Sequence, residues 1–356
     1  MSGRAVEAKP AETPQRGSRH RLKLEVVGAE IWRNPPAAKD HIYTHPIQCQ
    51  VGLPRKLTPE REFVRQCGAA WISVQAGYID EGNGPVAQPL PYGPFPRMFL
   101  ACLTTHVMRS NSRQIALGPS ASGFLRGIGM GRDGRRHKEL LSQIHSFVAC
   151  RIQYGYRGRT YGGQPVEQFD AFVSDQNPRS RWPGVMTLSQ SFFESLKEGA
   201  VPLDRRAMNA LMGSGLKLDI YAWLAHRLFR LKQPYQMVRW RRLRDQFAHE
   251  YTGRNGAKDF REVFLSALGD VLIVYPAARV VPKRGGVLLY RSPPPIAPEM
   301  DLVREKPVDR SGYPREMAPR GAREIAPPPR VKSPPSSHVR SPPSITCSFA
   351  FSSTTR

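Results

Sequence analysis

The stretch Leu218-Asp-Ile-Tyr-Ala-Trp-Leu-Ala-His-Arg-Leu-Phe-Arg-Leu231 decides how this chain reads. Ile220, Trp223, Leu224, Leu228 and Leu231 recur at helical spacing and predict one apolar face, with Pro234 as the terminator. A second helix is expected near Arg239–His249, anchored by Trp240, Leu243 and Phe247. The turn Tyr251-Thr-Gly-Arg-Asn-Gly256 breaks the chain. A third helix is expected from about Ala257 to Leu268, with Phe260, Val263, Phe264, Ala267 and Leu268 as its buried stripe. Val271-Leu-Ile-Val-Tyr275 and Gly286-Val-Leu-Leu-Tyr290 then read as a β-hairpin. Three helices and a hairpin in about seventy residues describe a winged helix, a helix-turn-helix with a β wing.

Working outward, Phe95–Tyr156 repeats the pattern. Phe95–Arg109 is expected as a first helix and Ser120–Gly127 as a short second one, with Ser120 or Ser122 as N-cap. Arg135–Phe147 is expected as a third helix and Val148–Tyr156 as a strand. Ala101, Leu103, Val107 and Arg109 stand at one constant offset from Ala222, Leu224, Leu228 and Arg230. Lys138, Ile144 and Val148 align with Lys258, Phe264 and Leu268 at nearly the same offset, which points to two copies of one unit. Gly158–Pro183 would elaborate the first wing, with Gly184–Leu188 as its return strand. Helices around Phe192–Leu196 and Asp204–Leu211 would join the copies.

The reading is thus α+β: two tandem winged-helix modules with disordered termini. Its divisions are a disordered arm (1–20), an N-terminal extension whose strands pack on the first module (21–92), module one (93–190), a helical linker (191–215), module two (216–291) and a disordered tail (292–356). Pro35, Pro36, Pro46 and Pro54 argue against a long helix in the extension, and Ala70–Ala76 reads as a strand. Fourteen of the chain's 34 prolines follow Ser292, a composition that cannot bury enough apolar surface to fold. The chain carries +24, of which the tail accounts for +4 and the first twenty residues for +2. The predicted modules therefore hold most of the positive charge, and the expected partner is a polyanion. No window approaches the ~20 apolar residues of a spanning helix, so a membrane partner is not expected. Met1–His20 has no apolar core and reads as no signal peptide, so the expected location is the cytoplasm, nucleoid- or plasmid-associated. Five scattered cysteines without a C-x-x-C pair argue against a disulfide framework.

Arg239, Arg241, Arg242 and Arg244 suit a helix lying across a phosphate backbone, and Arg254 stands in the turn that follows. Lys258, Arg261, Glu262, Leu265 and Ser266 point away from the predicted stripe of the third helix and are groove-facing candidates. Their counterparts in module one are Arg135, Arg136, Lys138 and Gln143, with Arg132 in the turn before them. Lys283 and Arg284 occupy the wing turn, where a phosphate or minor groove could be met. Gly129-Met-Gly-Arg-Asp-Gly134 fits G-x-G-x-x-G, but a helix rather than a strand precedes it, so it reads as a turn. His41, His45 and Cys49 share helical spacing, yet Pro46 interrupts them, so no metal is expected. No His-x-His and no Walker A sequence occurs. No cofactor and no enzymatic activity are expected.

The assembled motifs resemble the RepA-type plasmid replication initiator family from about Gln48 to Pro294. They are Cys49-Gln-Val-Gly-Leu-Pro-Arg55, Leu90-Pro-Tyr-Gly-Pro94, Leu117-Gly-Pro-Ser120, Ala200-Val-Pro-Leu-Asp204, Leu218-Asp-Ile-Tyr-Ala-Trp-Leu224 and Val274-Tyr-Pro-Ala-Ala278. The resemblance implies sequence-specific binding to double-stranded origin DNA, strand opening, and recruitment of host initiator, helicase or primase proteins. It leaves a homodimer open. A transcriptional repressor and a nonspecific architectural protein are the alternatives within DNA binding. A nicking replication enzyme is the alternative outside it.

Overall fold

The computed structural model describes residues 16–80, 84–117, 120, 123–125, 134–156, 158–169, 185–251 and 253–297, with no side-chain detail for residues 16–19 and 134–135. Most of the expected arm, the Ser122 cap, the Gly129–Gly134 loop and the tail from residue 298 lie outside the described residues.

Helix α1 (Arg16–Arg33) opens the described chain. The expectation of no long helix in this region overlooked the residues before Pro35, where Leu24, Val27 and Ile31 supply a helical stripe. Strands β1 (His41–Thr44), β2 (Glu62–Cys67), β3 (Ala70–Gln75), β4 (Tyr78–Asp80) and β5 (Pro85–Ala87) follow. Next come α2 (Pro94–Ser110), β6 (Gln114–Ala116), a helical turn at 123–125, and α3 (Gly134–Ala149). Then β7 (Arg151–Tyr156), β8 (Arg159–Gly163), β9 (Val166–Phe169) and β10 (Val185–Leu188) are laid down. Helix α4 (Gln190–Lys197), β11 (Val201–Asp204) and α5 (Arg205–Leu211) lead to α6 (Gly215–Leu228). The chain continues through β12 (Tyr235–Arg239), α7 (Trp240–Phe247), α8 (Gly256–Val274), β13 (Val280–Lys283) and β14 (Gly286–Tyr290).

The result is a mixed fold of helices and small antiparallel sheets. Two of those sheets share one plan. β6 pairs with β10, which pairs with β9; β12 pairs with β14, which pairs with β13. In each case a strand following the first helix lies beside the last strand of the set. Each set also runs helix, strand, helical turn or short helix, then a longer helix; two strands follow in the second set and four in the first, where β7 and β8 join a different sheet.

Several expectations need correction. α6 ends at Leu228, well before Pro234, and Tyr235–Arg239 is a strand rather than a continuation toward the second helix. α6 is also buried nearly all round, Tyr221 and Ala225 included. Val271–Val274 extends α8 instead of opening the hairpin, and the hairpin's first strand is Val280–Lys283. Val263, expected in the stripe of α8, is 43% exposed. β7 does not pair with the return strand β10; it joins β2, β3 and β8 in a four-stranded sheet. β11 pairs with β1, so the segment linking the two sets also carries a strand.

The reason α8 outruns its expected end is packing. α1 crosses it so closely that a Cβ on Gly28 would lie 2.2 Å from the Ile273 carbonyl oxygen. Val271 and Val274 are 0% and 1% exposed. Burial on several sides overrides the strand preference of a β-branched run.

The motif segment around Gly52 ties the sets together. Arg97 of α2 is 2% exposed and donates through Nε and Nη2 to the Asp219 carboxylate of α6, at 2.6 and 2.8 Å. The same guanidinium donates to the carbonyls of Leu53, Pro54 and Gly93. A Cβ on Gly52 would lie 2.8 Å from an Asp219 carboxylate oxygen, so glycine there permits the approach. Beside it Arg55 pairs with Glu250 and donates to the Phe247 carbonyl.

The chain stays packed past Arg291. Ser292 Oγ accepts from Arg279 N at 3.0 Å, and Ile296 is 0% exposed. A chain ending at Arg291 should therefore be less stable than one ending at Ala297, by about 1.5–3 kcal/mol for the lost isoleucine. Urea midpoints measure this; equal midpoints would contradict it.

Candidate nucleic-acid interface

Trp240, Leu243 and Phe247 seat α7. Leu243 and Phe247 are buried, and the Phe247 ring sits 5.5 Å from Trp223 and 5.6 Å from Phe264. The remaining positions of this short helix are arginine or polar, because a strongly amphipathic helix needs only one anchored face. Trp240 has a second role. Its indole N–H donates to the Arg284 carbonyl at 3.1 Å, and its backbone N–H donates to Gly285 O. The turn between β13 and β14 is thereby fastened to the start of α7. The Arg261 guanidinium lies 5.2 Å from the Trp240 ring centroid, a cation–π contact that also orients this side chain of α8.

The sheet itself depends on one close approach. β14 lies against β12 at Gly286, where a Cβ would come 2.1 Å from the Val238 carbonyl. Lys283 and Arg284 are exposed at the turn.

The arginine run divides into two faces. Arg241 and Arg244 line the cleft between α7 and α8, together with Lys258 and Arg261. Arg239 and Arg242 line a different cavity, between α7, β12 and α6. Spacing of three residues puts 241 and 244 on one face of α7, while Arg239 is the last residue of β12. Arg254 is exposed in the turn before α8. Lys258 is exposed and stands 4.0 Å from Glu262, an intrahelical pair of small energy.

Module one supplies fewer of the expected residues. Arg136 and Lys138 are exposed on α3. Gln143 is corrected: it is 2% exposed, and its carbonyl oxygen accepts from Tyr92 N at 2.7 Å, holding the Leu90–Pro94 turn. Arg132 and the Arg135 side chain lie outside the described residues. Ser120 Oγ accepts from Gly123 N at 3.1 Å, as a cap would.

Two basic residues that the sequence reading passed over bear on the field here. Arg65 of β2 donates to the Asp245 carbonyl, and burial, then Arg55, lowers it to about 10. His249 is pressed down to about 2 by burial and by Arg55, Arg65, Arg97 and Lys56, so it stays neutral and adds no charge. Among the described residues no cluster of His, Cys, Asp and Glu is arranged to hold a metal ion, and no helix is long and apolar enough to cross a membrane.

Residues 90–241 match the family model of the plasmid encoded RepA protein, in line with the resemblance read from the motifs. No curated protein matches the chain. Among solved structures, RctB domains 2-3 (RctB-155-483) are 11% identical with a TM-score of 0.42, covering 72% of this chain and 99% of that one. Selenomethionine derivatives of domain 2 and domain 3 of RctB are 10% identical with a TM-score of 0.42, covering 70% of this chain and 96% of that one.

Proposed function

We propose that this chain, matched over residues 90–241 by the RepA family model, initiates plasmid replication by sequence-specific binding to origin DNA. In this reading α2 to β10 and α6 to β14 are two winged-helix modules. The observation that carries it is the cleft between α7 and α8, where Arg241, Arg244, Lys258 and Arg261 gather beside a wing turn fastened by Trp240. The twice-used strand order supports the pairing of modules. Strand opening and recruitment of host initiator, helicase or primase proteins follow from the family resemblance. The chain performs them without a covalent step of its own; a protein–DNA adduct on supercoiled origin plasmid with Mg²⁺ would contradict this.

In a three-helix module the second and third helices form the helix-turn-helix, of which the earlier crosses the backbone and the later enters the major groove. Charges that meet only phosphate carry no sequence information. Arg241→Ala and Arg244→Ala should weaken origin and random duplex by similar factors and reduce the salt slope by about one each. Lys258→Ala and Arg261→Ala should cost about 1–3 kcal/mol on origin duplex and much less on random duplex. All four residues are exposed, so folding should survive. Titration of each variant against both duplexes at fixed salt decides the assignment. If the α7 changes abolish origin preference and the α8 changes act uniformly, α7 is the reading helix. Equal affinity of the unaltered chain for both duplexes would favour an architectural protein.

A further inference from the structure

The cavity that receives Arg239 and Arg242 has a volume of about 810 Å³ and opens between α6, β12, α7 and the turn joining β2 to β3. Arg227 and Arg230, from the end of α6, also line it. Against four guanidiniums it presents one carboxylate, Asp245. Among the described residues none of the four arginines forms an ion pair. Arg227 is partly buried; Nη2 donates to Gln236 Oε1 at 2.9 Å, while Nε has no hydrogen-bond partner. The Trp223 indole N–H, from the same wall, has none either.

A buried donor left unpaired costs about 1–3 kcal/mol, and a charged one more. The charge is crowded as well as unpaired. Burial lowers the Arg227 guanidinium, and burial with Arg230 and Arg227 holds His226 down to about 4. An anion with several acceptor oxygens would relieve this. Guanidinium forks match phosphate geometry bidentately. The volume falls in the ~300–1,000 Å³ range of organic ligand pockets and leaves room beyond one phosphate. Trp223, Leu231 and Met237 offer apolar wall for the remainder.

We infer that this cavity binds a phosphate ester of a nucleotide, held between Arg227, Arg230 and Arg242. The nucleotide is either free or part of a nucleic acid chain. The inference rests on the cavity and not on the origin-binding reading, which uses Arg241, Arg244 and α8.

The test is calorimetric titration of the full chain with ATP in the absence of magnesium, with inorganic phosphate, and with a short single-stranded oligonucleotide. Arg227→Gln removes a cation at the site, and Trp223→Phe removes the N–H while keeping an aromatic ring. Arg230→Gln is the exposed alternative should Arg227→Gln fail to fold. If the source is a free nucleotide, ATP binds with a stoichiometry of one. The folded cavity variants should then weaken it about tenfold or more, as expected for loss of a charge-assisted hydrogen bond. Duplex affinity should be unchanged. If the source is nucleic acid, the same variants weaken the oligonucleotide by a similar factor while ATP fails to bind. Arg241→Ala and Lys258→Ala should leave either effect intact, which separates failure here from failure of the origin reading. The inference is overturned if the folded variants bind all three probes as the unaltered chain does, or if no probe binds.

Discussion

Asp219→Ala should destabilise the chain by about 3–5 kcal/mol, the range for breaking a buried ion pair by removing one partner. Both side chains of the pair are nearly inaccessible, at 3% and 7%. Removal of the carboxylate strands the Arg97 guanidinium in the interior, where a charge without a counter-ion is costly. Three carbonyl oxygens, from Leu53, Pro54 and Gly93, still accept from it, so the loss should fall toward the lower end. Converting the pair to leucines should not restore stability, because those carbonyls would then lose their donor. Urea unfolding measures both variants. A change below about 1 kcal/mol for Asp219→Ala would show that the pair is dispensable.

Affinity for duplex DNA should fall about 10³–10⁵-fold between roughly 50 and 200 mM salt, if six to ten phosphates are neutralised. Apart from Arg239 and Arg242, which face the other cavity, the exposed candidates are Arg136, Lys138, Arg241, Arg244, Arg254, Lys258, Arg261, Lys283 and Arg284, a set of matching size. Each contact releases condensed counterions, so the logarithm of the affinity should fall linearly with the logarithm of salt concentration. Fluorescence anisotropy of a labelled origin duplex across a salt series gives the slope. Near salt-independence would remove the electrostatic basis of the proposed function.

Much of the second module was legible in the sequence. The anchors Trp240, Leu243 and Phe247 are where their spacing places them, and Lys283–Gly286 is a hairpin turn. The arginine run was read as one phosphate-facing set, and the structure divides it between two cavities. Other features were hidden. Val271–Tyr275 is a β-branched run whose helical state depends on α1, a partner roughly 240 residues distant, and local preference yields to such contacts. β12 was hidden because Tyr235, Gln236 and Met237 are exposed and only Val238 is buried, so no alternation marks the strand. Gln143 resembles any polar surface residue; its burial follows from the unpaired backbone N–H of Tyr92 that it serves. The helical stripe of α1 was readable at Leu24, Val27 and Ile31, and the basic residues around it concealed it.

The Arg97–Asp219 bond joins α2, the first helix of one set, to α6, the first helix of the other. In the proposed function, with the two sets fastened in this way, they would act as a caliper of set span, and the distance between two contacted segments of DNA would become a property of the protein. Each base pair inserted between such segments advances the second by about 3.4 Å and turns it by roughly a tenth of a revolution, given 10–10.5 base pairs per 34–36 Å turn. Half a turn carries the second segment to the far side of the duplex. An origin read by this caliper would keep the helical phase of its segments even where the bases between them vary.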